Sequence, residues 1–113
     1  MAHISEKEFY DEYDNTLEIT RIIRKSRYIK PFKFLCKHFN DYNKPWVTAT
    51  LLQENLCMPD HSNAYQILES FRILNMLSKH IDNKRKSAFY SNVNKHLWEY
   101  AKKESEKWEK RKK

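Results

Sequence analysis

At 113 residues and 13.9 kDa the chain has room for one hydrophobic core, and a second would be too small to hold itself together. Its 40% apolar and 14% aromatic content is enough to fill that core, which excludes global disorder, and no run approaches the roughly 18 apolar residues of a membrane span. The formal charge is +7 and uneven: up to Glu18 the only Lys or Arg is Lys7, whereas from Lys79 onward basic residues outnumber acidic ones by more than two to one.

A basic half on a small domain suits a polyanionic partner. The stretch Met1 to Glu8 is polar and acidic, unlike a secretion signal, so the expected compartment is the cytoplasm, at the nucleoid, or the host cytoplasm for a viral chain. Cys36 and Cys57 are the only cysteines and suit a reducing compartment. Together with His38 and His61 they sketch a zinc set, but one and three intervening residues do not match the usual ligand spacings. No metal, cofactor or small-molecule ligand is expected.

The chain has no glycine, so its turns must be made by Asn, Asp, Ser or Pro. Ser5 with Glu8 and Asn15 with Glu18 have capping-box spacing, which predicts one long helix or two abutting ones ending near Ser26. Pro31 suits the first turn of the next helix, whose face is Phe32, Leu35, Cys36 and Phe39, continued by Tyr42. Asn40 to Pro45 breaks it. Trp46 and Val47 are a short β-favouring pair, and Thr50 with Gln53 caps a brief helix containing Leu51, Leu52 and Leu56. A turn over Cys57 to Ser62 precedes the clearest periodic stripe in the chain: Ala64, Ile67, Leu68, Phe71 and Leu74. Asn75 follows where a left-handed cap is needed. Met76 to Ile81 and Ser87 to Tyr90 read as strands about the basic turn Asp82 to Lys86. Ser91 or Asn92 can cap a last helix carrying Val93, Leu97, Trp98, Tyr100 and Ala101, with Trp108 beyond them.

The order helix, short strand, helix, turn, helix, hairpin, helix, from Pro31 to about Tyr100, resembles the winged helix-turn-helix superfamily. It looks closest to small prokaryotic, archaeal and viral repressors, such as the arsenic-repressor and multiple-antibiotic-resistance groups. The stretch Ile67 to Leu77 carries the likeness best, as a recognition helix running through a cap into a wing strand, and Asn75 departs from the family's usual glycine. The expected fold is therefore mainly α (α+β): an N-terminal helical extension over 1–30, a winged helix-turn-helix domain over 31–103 and a charged tail over 104–113.

The resemblance implies a recognition helix, about 61–74, lying in the major groove and reading bases from its N-terminal half. Its polar face offers His61, Ser62, Asn63, Tyr65, Gln66 and Ser70. Asn and Gln can pair bidentately with adenine, whereas no Arg is present there for guanine. The same helix N-terminus has free N–H groups that favour a phosphate. On the wing, about 76–90, Lys79, Asn83, Lys84, Arg85 and Lys86 suit phosphate contact. Thr48 and Thr50 are further backbone candidates, although capping alone accounts for them. Phe9, Tyr10, Tyr13, Leu17, Ile22, Ile23, Trp98 and Trp108 exceed what a small domain can bury, which suggests a homodimer interface; the alternative is an N-terminal helix folded back on its own domain.

The scattered histidines, the absence of glycine and the lack of a partnered Ser or Cys argue against an enzyme. The expected function is a transcription regulator that binds duplex DNA as a homodimer. The alternative is a winged helix used for protein–protein contact in a transcription, replication or partition assembly. Single-stranded or RNA binding is disfavoured, because the aromatics fall mostly on buried faces.

Overall fold

The computed structural model describes residues 16–85 and 87–112. Phe9, Tyr10, Tyr13, Lys86 and the two N-terminal capping pairs lie wholly or partly outside them. Helix α1 covers residues 16–23 and buries Ile19 and Ile23. It ends in a tight elbow, where the Lys25 N–H donates to the Ile22 carbonyl at 2.9 Å.

Helix α2 spans Ser26–Cys36 and starts five residues earlier than the proline suggests, so Pro31 lies in its second turn. Proline there removes the donor that would serve the Arg27 carbonyl, at a usual cost of about 3 kcal/mol. Complete burial of the Pro31 ring offsets that cost. A π-helical turn, Lys37–Asp41, then carries Phe39 inward, while Tyr42 is exposed and does not continue the buried face.

Helix α3 spans Ala49–Asn55. Its cap is Thr48, whose hydroxyl accepts from the Leu51 N–H at 3.2 Å, and Thr50 lies inside the helix. Helix α4, His61–Ile73, is capped by Asp60 and buries Ala64, Ile67, Leu68 and Phe71 as its period predicts, with Leu74 buried just beyond its end. It stops at Asn75, which adopts φ 65°. The Asn75 N–H donates to the Arg72 carbonyl and the Met76 N–H to the Phe71 carbonyl, both at 3.0 Å, a Schellman closure made without glycine.

Strands β1, Leu77–Asp82, and β2, Ser87–Asn92, pair antiparallel from Leu77 opposite Asn92 to Asp82 opposite Ser87. Val47 adds one bridge to Tyr90, with reciprocal bonds of 2.8 and 2.9 Å, so the β-favouring pair becomes a third, one-residue edge. Because β2 continues through Asn92, neither Ser91 nor Asn92 caps the last helix. Asn94, at φ 55°, turns the chain into α5, Lys95–Lys112, and its side chain donates to the Asn75 carbonyl at 2.6 Å.

The chain is thus mainly helical with a two-stranded antiparallel hairpin. Trp98 of α5 is central to its core. Its ring stacks on Phe32 at 5.8 Å and 11°, meets Phe39 edge-on and lies 6.2 Å from Phe71. Its buried Nε1–H donates to the Met76 carbonyl at 2.8 Å, so the indole carries no unsatisfied polar atom into the core.

The segment expected as a tail is helical, with Ser105 buried and Glu109 paired with Lys33 of α2. α1 joins the same body through a 2.7 Å hydrogen bond between the Thr20 and Tyr100 hydroxyls and through Arg24 over the Trp108 ring. The expected boundary at residue 30 falls inside α2, and residues 16–30 share one core with the rest. Among the described residues no helix is long and apolar enough to cross a membrane.

Candidate nucleic-acid interface

Three short-range decisions bring the polar candidates together. The Thr48 cap starts α3 beside the Val47–Tyr90 bridge, so Thr48 and Thr50 face the base of the hairpin. The Asp60 cap sets the first turn of α4, presenting His61 and Ser62 outward and, one turn later, Tyr65 and Gln66. Asp82 then shapes the hairpin turn: its Oδ1 accepts from the Lys84 N–H at 3.0 Å and the Arg85 N–H at 3.4 Å. The result is a groove of about 480 Å³ lined by Thr48, Thr50, His61 and Tyr65 on the helical side and by Arg85 and Phe89 on the hairpin. Residues 37 positions apart in sequence, such as Thr48 and Arg85, therefore share one surface.

Of the remaining candidates, Asn63 is half-buried. Ser70 is tied down, its hydroxyl donating to the Gln66 carbonyl at 2.9 Å and lying 3.4 Å from the Tyr28 hydroxyl. Asn83 and Lys84 are exposed, and the Arg85 side chain is 79% exposed despite a loose 4.0 Å approach to Asp82. Two expectations change. Lys79 turns away from the hairpin tip: its ammonium donates to the Tyr65 hydroxyl at 2.8 Å and lies 3.7 Å from Glu69. The N-terminus of α4 does not present all its N–H groups to a phosphate, because Asp60 accepts the Asn63 N–H at 2.9 Å and places a carboxylate there.

Glu69 gave no signal in sequence, yet it links α4 to both strands. Its carboxylate accepts two N–H bonds from Arg72, at 2.9 and 3.0 Å, and one from the Tyr90 hydroxyl at 2.8 Å. The Arg72 bonds above all hold its pKa below the ordinary 4.5, helped by Tyr90 and Lys79 against the opposing effect of burial. Burial, and then donation to Glu69, raise the Tyr90 hydroxyl, which remains a donor. This network ties α4, which supplies His61 and Tyr65 to the groove, to the hairpin opposite.

The expected dimer residues separate. Ile23 and Trp98 are 0% and 7% exposed within their own core, so they have no surface left for a second copy. Trp108 is half-buried and engaged by Arg24, Ile22 packs against the core, and Leu17 is exposed. Of the zinc set, Cys36 is half-buried with its thiol pushed up to about 11 by burial, and His38 Nε2 lies 2.8 Å from the Trp46 carbonyl oxygen. Among the described residues no group of three or more His, Cys, Asp or Glu side chains is placed to hold a metal ion.

One basic element escaped the sequence reading. Arg21, Arg24, Lys25, Arg27 and Lys30 gather around the α1–α2 elbow, and all are exposed. The five lie within ten residues of sequence, a density that could have marked them. Comparison of the chain with protein-family models, with curated proteins and with solved structures finds no match.

Proposed function

We propose that the protein is a winged helix-turn-helix DNA-binding regulator that acts by occupying duplex DNA, without catalysis, in the cytoplasm or on the nucleoid. In this reading α4 is the recognition helix and the β1–β2 hairpin is the wing. The observation that carries it is the convergence of Thr48, Thr50, His61, Tyr65 and Arg85 on one groove between the reading helix and a cationic hairpin tip. Threonine hydroxyls and an exposed arginine suit phosphates, while the exposed polar side chains of α4 suit base edges. The Val47–Tyr90 bridge supports the assignment, because it adds the short strand that the winged architecture places between its first two helices. A homodimer would pair two half-sites. With Ile23 and Trp98 withdrawn, the expected interface residues that keep exposed surface among those described are Leu17, Ile22 and Trp108.

Exposed Trp46, Ile73 and Ile81 favour a second reading, a winged helix that docks on another protein. A mobility-shift titration on mixed-sequence duplex DNA across a salt series separates the two. DNA binding predicts a steep linear fall of log affinity with log salt, and Lys84→Ala with Arg85→Ala should flatten that slope by roughly two. No binding at low salt would favour the protein-docking reading, and a slope unchanged by the double substitution would remove the hairpin from the interface.

A further inference from the structure

α4 carries no arginine in the half that would face base edges, which leaves guanine without a partner there. The fold supplies one from elsewhere. Arg27, the second residue of α2, reaches across to α4 and donates from Nη2 to Gln66 Oε1 at 2.8 Å. Its guanidinium also lies 5.6 Å over the Tyr28 ring, and the Tyr28 hydroxyl is 3.4 Å from Ser70 one turn further along α4. The hydrogen bond and the ring together hold the group beside the outward face of the helix.

We propose that Arg27, positioned by Gln66, reads a guanine, and that the pair sets a G·C preference in the selected site. The inference rests on the duplex-binding reading above. An arginine has five N–H donors. One is given to Gln66, and four remain for the N7 and O6 acceptors on the major-groove edge of guanine, which need two in parallel. An exposed hydrogen bond of this kind adds little to folding. It does limit the rotamers of a flexible side chain before DNA arrives, which favours a directional bidentate contact over diffuse attraction to phosphate. Lys25 and Lys30, exposed and on the same elbow, suit the phosphates instead. The arrangement also changes what Gln66 does. Oε1 keeps a second lone pair, but its bond to Arg27 orients the amide toward the guanidinium and makes Gln66 a positioning residue for it.

The test is site selection from a random duplex library with the full chain, Arg27→Lys, Arg27→Ala and Gln66→Ala, alongside a salt series and a thermal melt. Both side chains are exposed and paired at the surface, so the three melts should stay close to the parent's. The parent should select a site containing guanine. Arg27→Lys should lose preference at that one position by about 5- to 100-fold while the salt slope is unchanged, because the charge is kept but the planar fork is not. Gln66→Ala should erode the same guanine preference and no adenine preference. An identical selected site for parent and Arg27→Lys overturns the inference. So does an Arg27→Ala variant that loses about one unit of salt slope with its site unchanged, since that describes a phosphate clamp. A parent that binds duplex DNA but selects no site overturns this inference alone, and a parent that binds no duplex at low salt overturns the duplex reading with it.

Discussion

Asparagine does the work of glycine in this chain. Positive φ occurs at Asn43, Asn75 and Asn94, and otherwise among the described residues only at Cys57. Two of these asparagines form one joint, because Asn94 donates its side-chain amide to the carbonyl of Asn75. The cap at Asn75 was legible because it follows the last residue of a clean stripe and no better left-handed residue is nearby. Asn75→Ala should destabilise the fold by about 1 kcal/mol, because alanine keeps the Cβ cost of the left-handed region and loses the local polar contacts that offset it for asparagine, while Asn75→Gly should stay near the parent. Equal melts for the two variants would contradict the cap. Glu69 was illegible, since a glutamate on a helix gives no hint of a tyrosine hydroxyl 21 residues later. Its folded pKa lies below the unfolded one, so its contribution is present above the ordinary carboxylate range and is lost as pH falls through the lowered value. Acid should therefore lower the melting temperature of the parent more than that of Glu69→Gln. Parallel acid profiles would show that Glu69 does not brace α4 against the hairpin.

Among the elements, α4 and the hairpin could be read from period alone, because a 3.6-residue stripe and a basic turn between β-favouring runs have few other solutions. Helix boundaries were less legible. Thr48 and Thr50 both have a residue three positions on to cap, and burial of Ala49 and Leu52 decides for Thr48. Pro31 marks a helix start by local rules, yet tertiary burial outweighs its missing N–H and lets α2 begin at Ser26. Phe71 connects these helices: it is 0% exposed and its ring meets Tyr28, Phe32 and Trp98. Phe71→Ala should cost about 3–5 kcal/mol by opening a cavity at that junction. A thermal melt that barely moves would mean the helices do not close on this ring.

For the molecule as a whole, sequence could rank residues by hydrophobicity but could not say whose core they enter. Ile23 and Trp98 look like surplus apolar surface in one dimension, and the fold consumes them by laying α1 and α5 on the same aromatic centre. The Arg27–Gln66 bond was hidden for the same reason, since it joins residues 39 apart on two helices. What the fold leaves outside is a polar helix face between two basic flanks, the hairpin tip and the α1–α2 elbow. The most direct test of this account is amide chemical-shift mapping of the protein titrated with a duplex oligonucleotide. Perturbations are predicted to concentrate at residues 48–50, 61–66 and 83–85 and at the elbow near Arg27, leaving the outer face of α5 unmoved. Shifts centred on α5, or none at any residue under low-salt conditions that favour phosphate binding, would contradict it.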